Sequence, residues 1–352
     1  MQKAVFIIPN LCGGGAERVM STLANYLVGC RIDVTILITK GTDIAYDLDN
    51  RVQTVFNTNG NSAIKQIMFI RNYMKQEETA TYISFLTYQN MYMLLAAVGT
   101  KVKTVISERN DPSKTLYGKK WLKPIRNWLY AKADGIVFQT EGAKKYFPRK
   151  IQNRSVVILN PLKRNLPEPY KGSREHIVVA IGRLTAQKNY GLLIRAFSEF
   201  HNEYPDYILS IYGKGEQKAE LMDLATSLNI SESIVFEDFC EDVDQRIVNA
   251  SMFVISSDYE GLSNALLEAM AIGLPCISTD SPPGGARMLI HNEYNGLLVP
   301  VGDKDEVVKA MKRIANDEEY AAYLGKNASE IKQRCNEKIV CEKWKKIIFT
   351  FV

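Results

Sequence analysis

Phe253-Val254-Ile255-Ser256-Ser257-Asp258-Tyr259-Glu260-Gly261-Leu262-Ser263-Asn264-Ala265-Leu266-Leu267-Glu268-Ala269-Met270-Ala271-Ile272-Gly273-Leu274-Pro275 carries an apolar strand into a polar loop, a short helix and a helix stop. Ser263 and Asn264 are both good N-caps, so the helix is predicted to start there. Glu260 falls in the loop, and Glu268 one turn inside the helix on the face that carries Asn264. Amide groups at the helix start suit a phosphate, and two carboxylates suit sugar hydroxyls. Gly273 supplies the stop, and Pro275 opens the next strand.

The same alternation extends in both directions. Ala4–Ile8 and Asp33–Ile38 read as buried strands, with a helical pattern over Glu17–Val28 between them. Further strands are predicted at 82–85, 102–107, 135–139 and 156–159. The stretch from Asn160 to Arg174 is proline-rich and without period, which suits a linker. A second series opens at Ile177–Ile181 and continues at 207–212, 234–236, 252–255, 275–278 and 296–299. Helices are predicted over 303–316, 318–334 and 336–349. Strands alternating with crossover helices indicate parallel sheets. The expectation is an α/β chain of two doubly wound domains, 1–165 and 166–335, with a C-terminal helix at about 336–352 packing back on the first. Ligands of such sheets bind beyond the carboxyl ends of the strands, which points to the cleft between two domains.

Two further glycine turns follow strands. Gly13-Gly14-Gly15-Ala16-Glu17-Arg18 opens a helix after the first strand, where amides and the helix dipole favour an anion. It departs from a dinucleotide fingerprint, because Arg18 stands at the third glycine and Asp33 stands at the start of its strand and not at the end, where a ribose ligand would be. A tight turn requiring small residues is the plain structural alternative. In the second series Gly182-Arg183-Leu184-Thr185-Ala186-Gln187-Lys188 places two cations, Arg183 and Lys188, at a sheet edge. A departing diphosphate needs such cations as its charge develops; surface cations on a capped loop are the alternative. Gly213, in Tyr212-Gly213-Lys214-Gly215, repeats the strand-to-glycine pattern.

Composition excludes several classes. Of 352 residues, 46% are apolar and 24% charged, an ordinary globular balance. No run of apolar residues is long enough to span a bilayer, and the N-terminal stretch is too short for a signal peptide. The six cysteines form no CxxC pair and only three histidines are present, so no zinc cluster is expected. Asp47-Leu48-Asp49 and Asp242-Val243-Asp244 match a DxD metal pattern but lie apart from other oxygen ligands, and both read as structural. Residues 1–160 hold 22 Lys and Arg against 11 Asp and Glu, while the remainder is acidic. Within the basic half, Lys119–Tyr130 interleaves Lys119, Lys120, Lys123 and Arg126 with Trp121, Trp128 and aliphatics, as on an interfacial helix; Ile64–Lys75 is a weaker case. An amphipathic helix packed on its own sheet explains either one alone.

The Gly182-Arg183-Leu184…Lys188 segment and the Glu260-to-Glu268 block resemble the donor-site motifs of retaining glycosyltransferases of family four, the latter their E-x7-E motif. Ser281–Gly285, Asn295–Pro300 and Gly13–Arg18 are also similar to that family, in particular to its bacterial branch building lipid-linked oligosaccharides and surface polysaccharides. The resemblance implies a GT-B fold, two facing Rossmann-like domains with a deep cleft. It implies a UDP-sugar donor, a polyprenyl-diphosphate-linked glycan acceptor, no metal or other cofactor, and no nucleic acid partner. Arg183 and Lys188 would hold the diphosphate, Glu268 the ribose and Glu260 the transferred sugar. Gly182, Gly213, Gly261 and the amides of Leu262, Ser263 and Asn264 would line the donor site, with Gly14 and Gly15 shaping it from the first domain. Relatives often place a histidine near the sugar; this chain has none before His176, and Arg109, in Ser107–Asp111, is the candidate to replace it. The implied location is cytoplasmic, peripheral at the inner face of the plasma membrane. A UDP-sugar 2-epimerase of the same architecture, a dinucleotide-dependent oxidoreductase and a non-catalytic nucleotide-sugar sensor are the competing readings.

Overall fold

In a computed structural model, residues 2–350 are described apart from Phe239 and Glu241. Phe351 and Val352, read as the end of the last helix, lie outside the described residues. Two compact units emerge: Met1–Pro161 with Cys335–Val352, and Leu162–Arg334.

The first unit is a parallel sheet of β1 (Lys3–Ile8), β2 (Asp33–Ile38), β3 (Gln53–Phe56), β4 (Thr81–Phe85), β5 (Lys103–Ser107), β6 (Gly135–Phe138) and β7 (Ser155–Val157). Its order is β3-β2-β1-β4-β5-β6-β7, that of a doubly wound nucleotide-binding sheet. Helices α1 (Gly15–Gly29), α2 (Ala63–Gln76), α3 (Thr87–Ala97), α4 (Leu122–Tyr130), α5 (Glu141–Lys145) and α6 (Arg149–Gln152) connect the strands. Because both faces of the sheet are covered, strands such as Ala4–Ile8 are buried along their whole length rather than alternately.

The second unit alternates β8 (Glu175–Ile181), α7 (Tyr190–His201), β9 (Ile208–Tyr212), α8 (Lys218–Ser227), β10 (Ile234–Glu237), α9 (Val243–Ile247) and β11 (Ala250–Ile255). It continues with α10 (Asn264–Ala271), β12 (Cys276–Thr279), α11 (Gly285–Leu289), β13 (Leu297–Val299), α12 (Lys304–Asn316), α13 (Glu318–Ala328) and α14 (Ile331–Cys335). Its strand order is β10-β9-β8-β11-β12-β13, again parallel.

The last helix, α15 (Glu337–Thr350), belongs to the first unit. It lays Val340, Cys341, Trp344 and Ile348 into the core shared with Leu23 and Leu27 of α1. Trp344 is fully buried, its ring 5.3 Å from that of Phe85 on β4. Helices α2, α3 and α4 cover the opposite face through Ile70, Met74, Leu94 and Leu129.

Three local features differ from the sequence reading. β3 is an additional edge strand, half-exposed over Thr54–Phe56 and therefore without an unbroken apolar run. The helix predicted over 318–334 is two, α13 and α14, separated at Ser329–Glu330. Arg126, read among the interfacial cations, is fully buried: its Nη1 donates to the Pro112 carbonyl at 2.8 Å and its guanidinium lies 4.7 Å from the Phe147 ring.

The Trp344 indole N–H finds no acceptor among the described residues. Trp344→Ala is therefore expected to destabilise the first unit by about 3–5 kcal/mol through a cavity against Phe85. Trp344→Phe, which fills much of the space and removes the unmet donor, should cost clearly less. Denaturant unfolding of the three proteins checks this; equal losses for both variants would contradict the packing account.

Candidate functional site

In the second sheet β8 and β11 are neighbours, with the strand order running outward from them in opposite directions. Parallel strands bring both chain exits to one edge, and this is the position at which doubly wound sheets bind ligands. The exit from β8 is Gly182-Arg183-Leu184. Gly182 N donates to the Tyr212 carbonyl at 2.9 Å and Leu184 N to that of Lys214 at 2.9 Å, fastening this turn to the end of β9. At Gly213, with φ at +155°, a Cβ would stand 1.9 Å from the Gly182 carbonyl oxygen. Glycine is thus required there by the approach of two backbones.

The turn then closes into a single 3-10 turn, Ala186–Lys188, and Asn189 caps α7 by accepting from Leu192 N at 3.2 Å. Four hydrogen bonds join this segment to the exit from β11. Asp258 N donates to Gln187 O at 3.0 Å, Gln187 Nε2 to Tyr259 O at 3.0 Å, Ser256 Oγ to Lys188 O at 2.9 Å and Asn189 Nδ2 to Asp258 Oδ1 at 2.7 Å. The outcome is a direct ion pair between Lys188 Nζ and Glu260 Oε2, whose side chains are only 13% and 19% exposed. Ser257 Oγ lies 3.4 Å from the same oxygen. Arg183 is exposed and forms no ion pair among the described residues.

Glu260 is also held from behind, since its N–H donates to the Pro282 carbonyl at 2.8 Å. A Cβ on Gly285 would meet the Gly261 oxygen at 1.7 Å, so Ser281–Gly285 packs directly under this loop. After Gly261 and the buried Leu262, Ser263 caps α10, its hydroxyl accepting from Leu266 N at 3.3 Å. Asn264 is the first helical residue, and Glu268 stands half-buried one turn further along. Sequence reasoning gathers Gly182, Arg183, Lys188, Glu260, Gly261, Leu262, Ser263, Asn264 and Glu268; the first eight lie at the exits from β8 and β11, and Glu268 lies on α10, which follows the second exit. It misses Gln187, Ser257, Asp258 and Tyr259, whose bonding is legible only once β8 is known to adjoin β11.

In the first unit the corresponding neighbours are β1 and β4. Gly13 takes φ +114° at the exit from β1, and Gly14 caps α1, its carbonyl accepting from Arg18 N at 3.0 Å and Tyr46 Oη at 2.8 Å. Gly15 is the first residue of α1. Arg109, just past β5, is buried: its Nη2 donates to Asn160 Oδ1 at 2.8 Å and its guanidinium lies 4.6 Å from the Phe85 ring. Nε and Nη1 find no acceptor among the described residues. Burial pulls its pKa down to about 9, against the Glu17 carboxylate, which raises it, and with Arg18, which lowers it further.

The preceding Glu108 carboxylate is buried and raised above its usual range by that burial. It accepts from Thr87 Oγ1 at 3.0 and 2.8 Å and from the Tyr130 hydroxyl. Asn90 Nδ2 donates to the Ser107 carbonyl at 2.9 Å. Thr87, Asn90, Glu108 and Tyr130 therefore fix the turn that carries Arg109, a network with no sequence signature.

The acidic pairs have other partners. Asp49 binds Arg51 at 2.8 and 2.7 Å, which lowers its pKa to about 2. Asp244 pairs with Lys163 at 3.0 Å and Asp242 with Arg246 at 3.2 Å. Among the described residues no three His, Cys, Asp or Glu side chains are grouped to hold a metal ion.

Comparison with known proteins identifies both units. Residues 13–165 match the Glycosyltransferase Family 4 domain and residues 163–331 the Glycosyl transferases group 1 domain. A Campylobacter jejuni GalNAc-alpha-(1->4)-GalNAc-alpha-(1->3)-diNAcBac-PP-undecaprenol alpha-1,4-N-acetyl-D-galactosaminyltransferase is 30% identical, the match covering 99% of this chain and 98% of the relative. A second enzyme of that organism, an N-acetylgalactosamine-N,N'-diacetylbacillosaminyl-diphospho-undecaprenol 4-alpha-N-acetylgalactosaminyltransferase, is 28% identical over 96% of this chain and 97% of its own. Among solved structures, Anabaena HepE in complex with UDP-glucose superposes with a TM-score of 0.85 at 18% identity, covering 98% of this chain and 99% of that one. These likenesses lend no support to an epimerase. With its seven-stranded and six-stranded parallel sheets the chain has the GT-B fold, and it belongs to the glycosyltransferases whose halves are the family 4 and group 1 domains.

Proposed function

We propose that this glycosyltransferase moves a sugar from a UDP-sugar to a hydroxyl of a polyprenyl-diphosphate-linked glycan, with retention at the anomeric carbon and without a metal ion. The observation that carries the reading is the placement of Arg183, Lys188 and Glu260 at the two chain exits flanking the β8–β11 boundary, with Glu268 on α10, which follows the second exit. The two Campylobacter relatives are named for α linkages and undecaprenol diphosphate carriers, and HepE was solved with UDP-glucose, which supports a UDP donor and a lipid-linked acceptor here.

In the proposed reaction the bond between the sugar's C1 and the β-phosphate oxygen breaks while C1 bonds to the acceptor oxygen on the same face. Breaking that bond leaves its electron pair, and so a new negative charge, on the β-phosphate, which the cations stabilise until the acceptor proton passes to the same phosphate. Lys188 and Arg183 supply that stabilisation, in place of a divalent ion. Glu260, oriented by Ser257 and the Pro282 carbonyl, contacts the transferred sugar, and Glu268 the ribose. In the first unit Gly14, Gly15 and Arg109 are the residues that this reading assigns to substrate. Burying a guanidinium with a single acceptor among the described residues costs stability, a cost that a role in the reaction accounts for.

The reading is tested by supplying UDP-N-acetylgalactosamine and other UDP-sugars with a polyprenyl-diphosphate-linked acceptor in excess EDTA. UDP release with an α-linked product by NMR is expected; activity that vanishes with EDTA and returns with magnesium, or a β-linked product, overturns it. Arg183→Ala should lower kcat/KM on the order of 10²-fold with an unchanged melting temperature, as befits an exposed side chain that acts on the leaving group. Lys188→Ala should cost on the order of 10²–10³-fold. Wild-type turnover in Arg183→Ala would exclude the diphosphate role.

Arg109→Met gives a sharper separation. Asn160 Oδ1 also accepts from Gln139 Nε2 at 2.8 Å, so the substitution strands no partner. The melting temperature should hold or rise, because an apolar chain replaces an incompletely paired buried charge, while turnover falls by at least about 10²-fold. Retained turnover would make Arg109 a structural residue only.

A further inference from the structure

Helices α2, α3 and α4 form the outer layer on one face of the first sheet, and α3 packs against both of its neighbours. Their outward side carries large apolar groups that a monomer gains nothing by exposing. Trp121 is 67% exposed, Trp128 56%, Tyr117 82% and Ile64 70%, with Met68 and Leu95 on the same layer. Exposed apolar area collected in this way marks an interaction surface.

The charge around it identifies the partner. The segments 63–76, 87–97 and 113–133 contain no Asp or Glu. Lys65, Lys75, Lys119, Lys120, Lys123 and Lys132 are all exposed on them. Lys132 Nζ stands 4.6 Å from the Trp128 ring centroid and Lys123 Nζ 4.8 Å from that of Tyr146, so cations and aromatic rings alternate within contact. A protein interface is depleted of lysine at its centre. A nucleic acid would have no use for exposed Ile and Met. Tryptophan and tyrosine at the level of lipid headgroups, aliphatics just below and lysines reaching back to anionic phosphates fit a bilayer surface.

We infer that the α2–α3–α4 face docks this unit on the surface of an anionic lipid bilayer, with Trp121 and Trp128 inserted at headgroup depth. The inference deepens the reading of a lipid-linked acceptor by naming the surface through which the enzyme meets it. It does not depend on the donor.

The chain offers its own reporter, since it has three tryptophans and the third, Trp344, is fully buried in the opposite layer. Vesicles of phosphatidylcholine alone and of phosphatidylcholine mixed with phosphatidylglycerol are added to the whole protein without donor or acceptor. Cosedimentation with the mixed vesicles only, a blue shift of tryptophan emission and quenching by brominated acyl chains are expected. Lys119→Glu with Lys120→Glu should weaken the partition about thirtyfold or more at low salt, given the contribution of each lysine near such a surface. Trp121→Ser with Trp128→Ser should abolish the shift while leaving transfer to a detergent-dispersed acceptor unchanged. Failure to bind anionic vesicles, or binding with unchanged tryptophan emission, overturns the inference, as does a dimer that buries both rings. None of these outcomes bears on transferase activity, which is read separately by UDP release.

Discussion

The hydrogen-bonded seam between the exits of β8 and β11 is the constraint on which the second unit's chemistry depends. Adjacent parallel strands deliver their following loops to the same edge, but adjacency alone leaves two loops free to diverge. Here Gln187, Asp258 and Tyr259 exchange backbone and side-chain bonds across the boundary, and Ser256 holds the Lys188 carbonyl. The candidate side chains Lys188 and Glu260 are thus held in place by hydrogen bonds of their neighbours, the kind of support that gives a site its precision. Ser281–Gly285 adds a floor, because only glycine at 285 lets the Gly261 carbonyl settle where Glu260 requires it.

The two units treat their cations differently. Lys188 is sheltered but matched, its charge answered by Glu260 within contact. Such a pair repays desolvation only with good geometry and further hydrogen bonds, which Ser257 helps to provide. An anion arriving beside Lys188 competes with a carboxylate already in place, so binding exchanges one partner for another instead of introducing a charge into a bare pocket. Arg109 is the reverse case: deeply buried, stacked on Phe85, and given one acceptor for five donors. Burial depresses its pKa and Arg18 adds to the effect, with only Glu17 opposing. A second negative group, beside Glu17, would relieve that balance.

Much of this was legible in the sequence because it is local. Unbroken apolar runs such as Ala4–Ile8 announce strands covered on both faces, and a glycine turn followed by a capped helix announces the edge where ligands bind. What was not legible is non-local or atypical. β3 lies at a sheet edge, and its half-exposed residues give no run to detect. Arg126 sits among exposed lysines in sequence but turns inward to the Pro112 carbonyl and the ring of Phe147, which no periodicity distinguishes. The pairing of Lys188 with Glu260 spans 72 residues and follows from strand order, not from either motif. The same holds for Glu108, whose partners Thr87 and Tyr130 come from two separate helices.

Charge placement separates the two units further. In the acidic second half surface cations are paired: Lys304 meets Glu199, Lys312 meets Glu203, Arg313 meets Glu293 and Lys332 meets Glu168. Exposed pairs of this kind contribute little stability, typically up to about 1 kcal/mol each, and they cancel the field beyond them. Around α4 the pattern is opposite, for Lys119, Lys120, Lys123 and Lys132 form no ion pair among the described residues. Unpaired charges keep their potential out to about 8 Å at physiological ionic strength, far enough to be felt by an approaching surface. Neither these lysines nor the solvent-facing Trp121 and Trp128 add to the packing of the sheet beneath them. Their expense is intelligible only in contact with something anionic outside and apolar within.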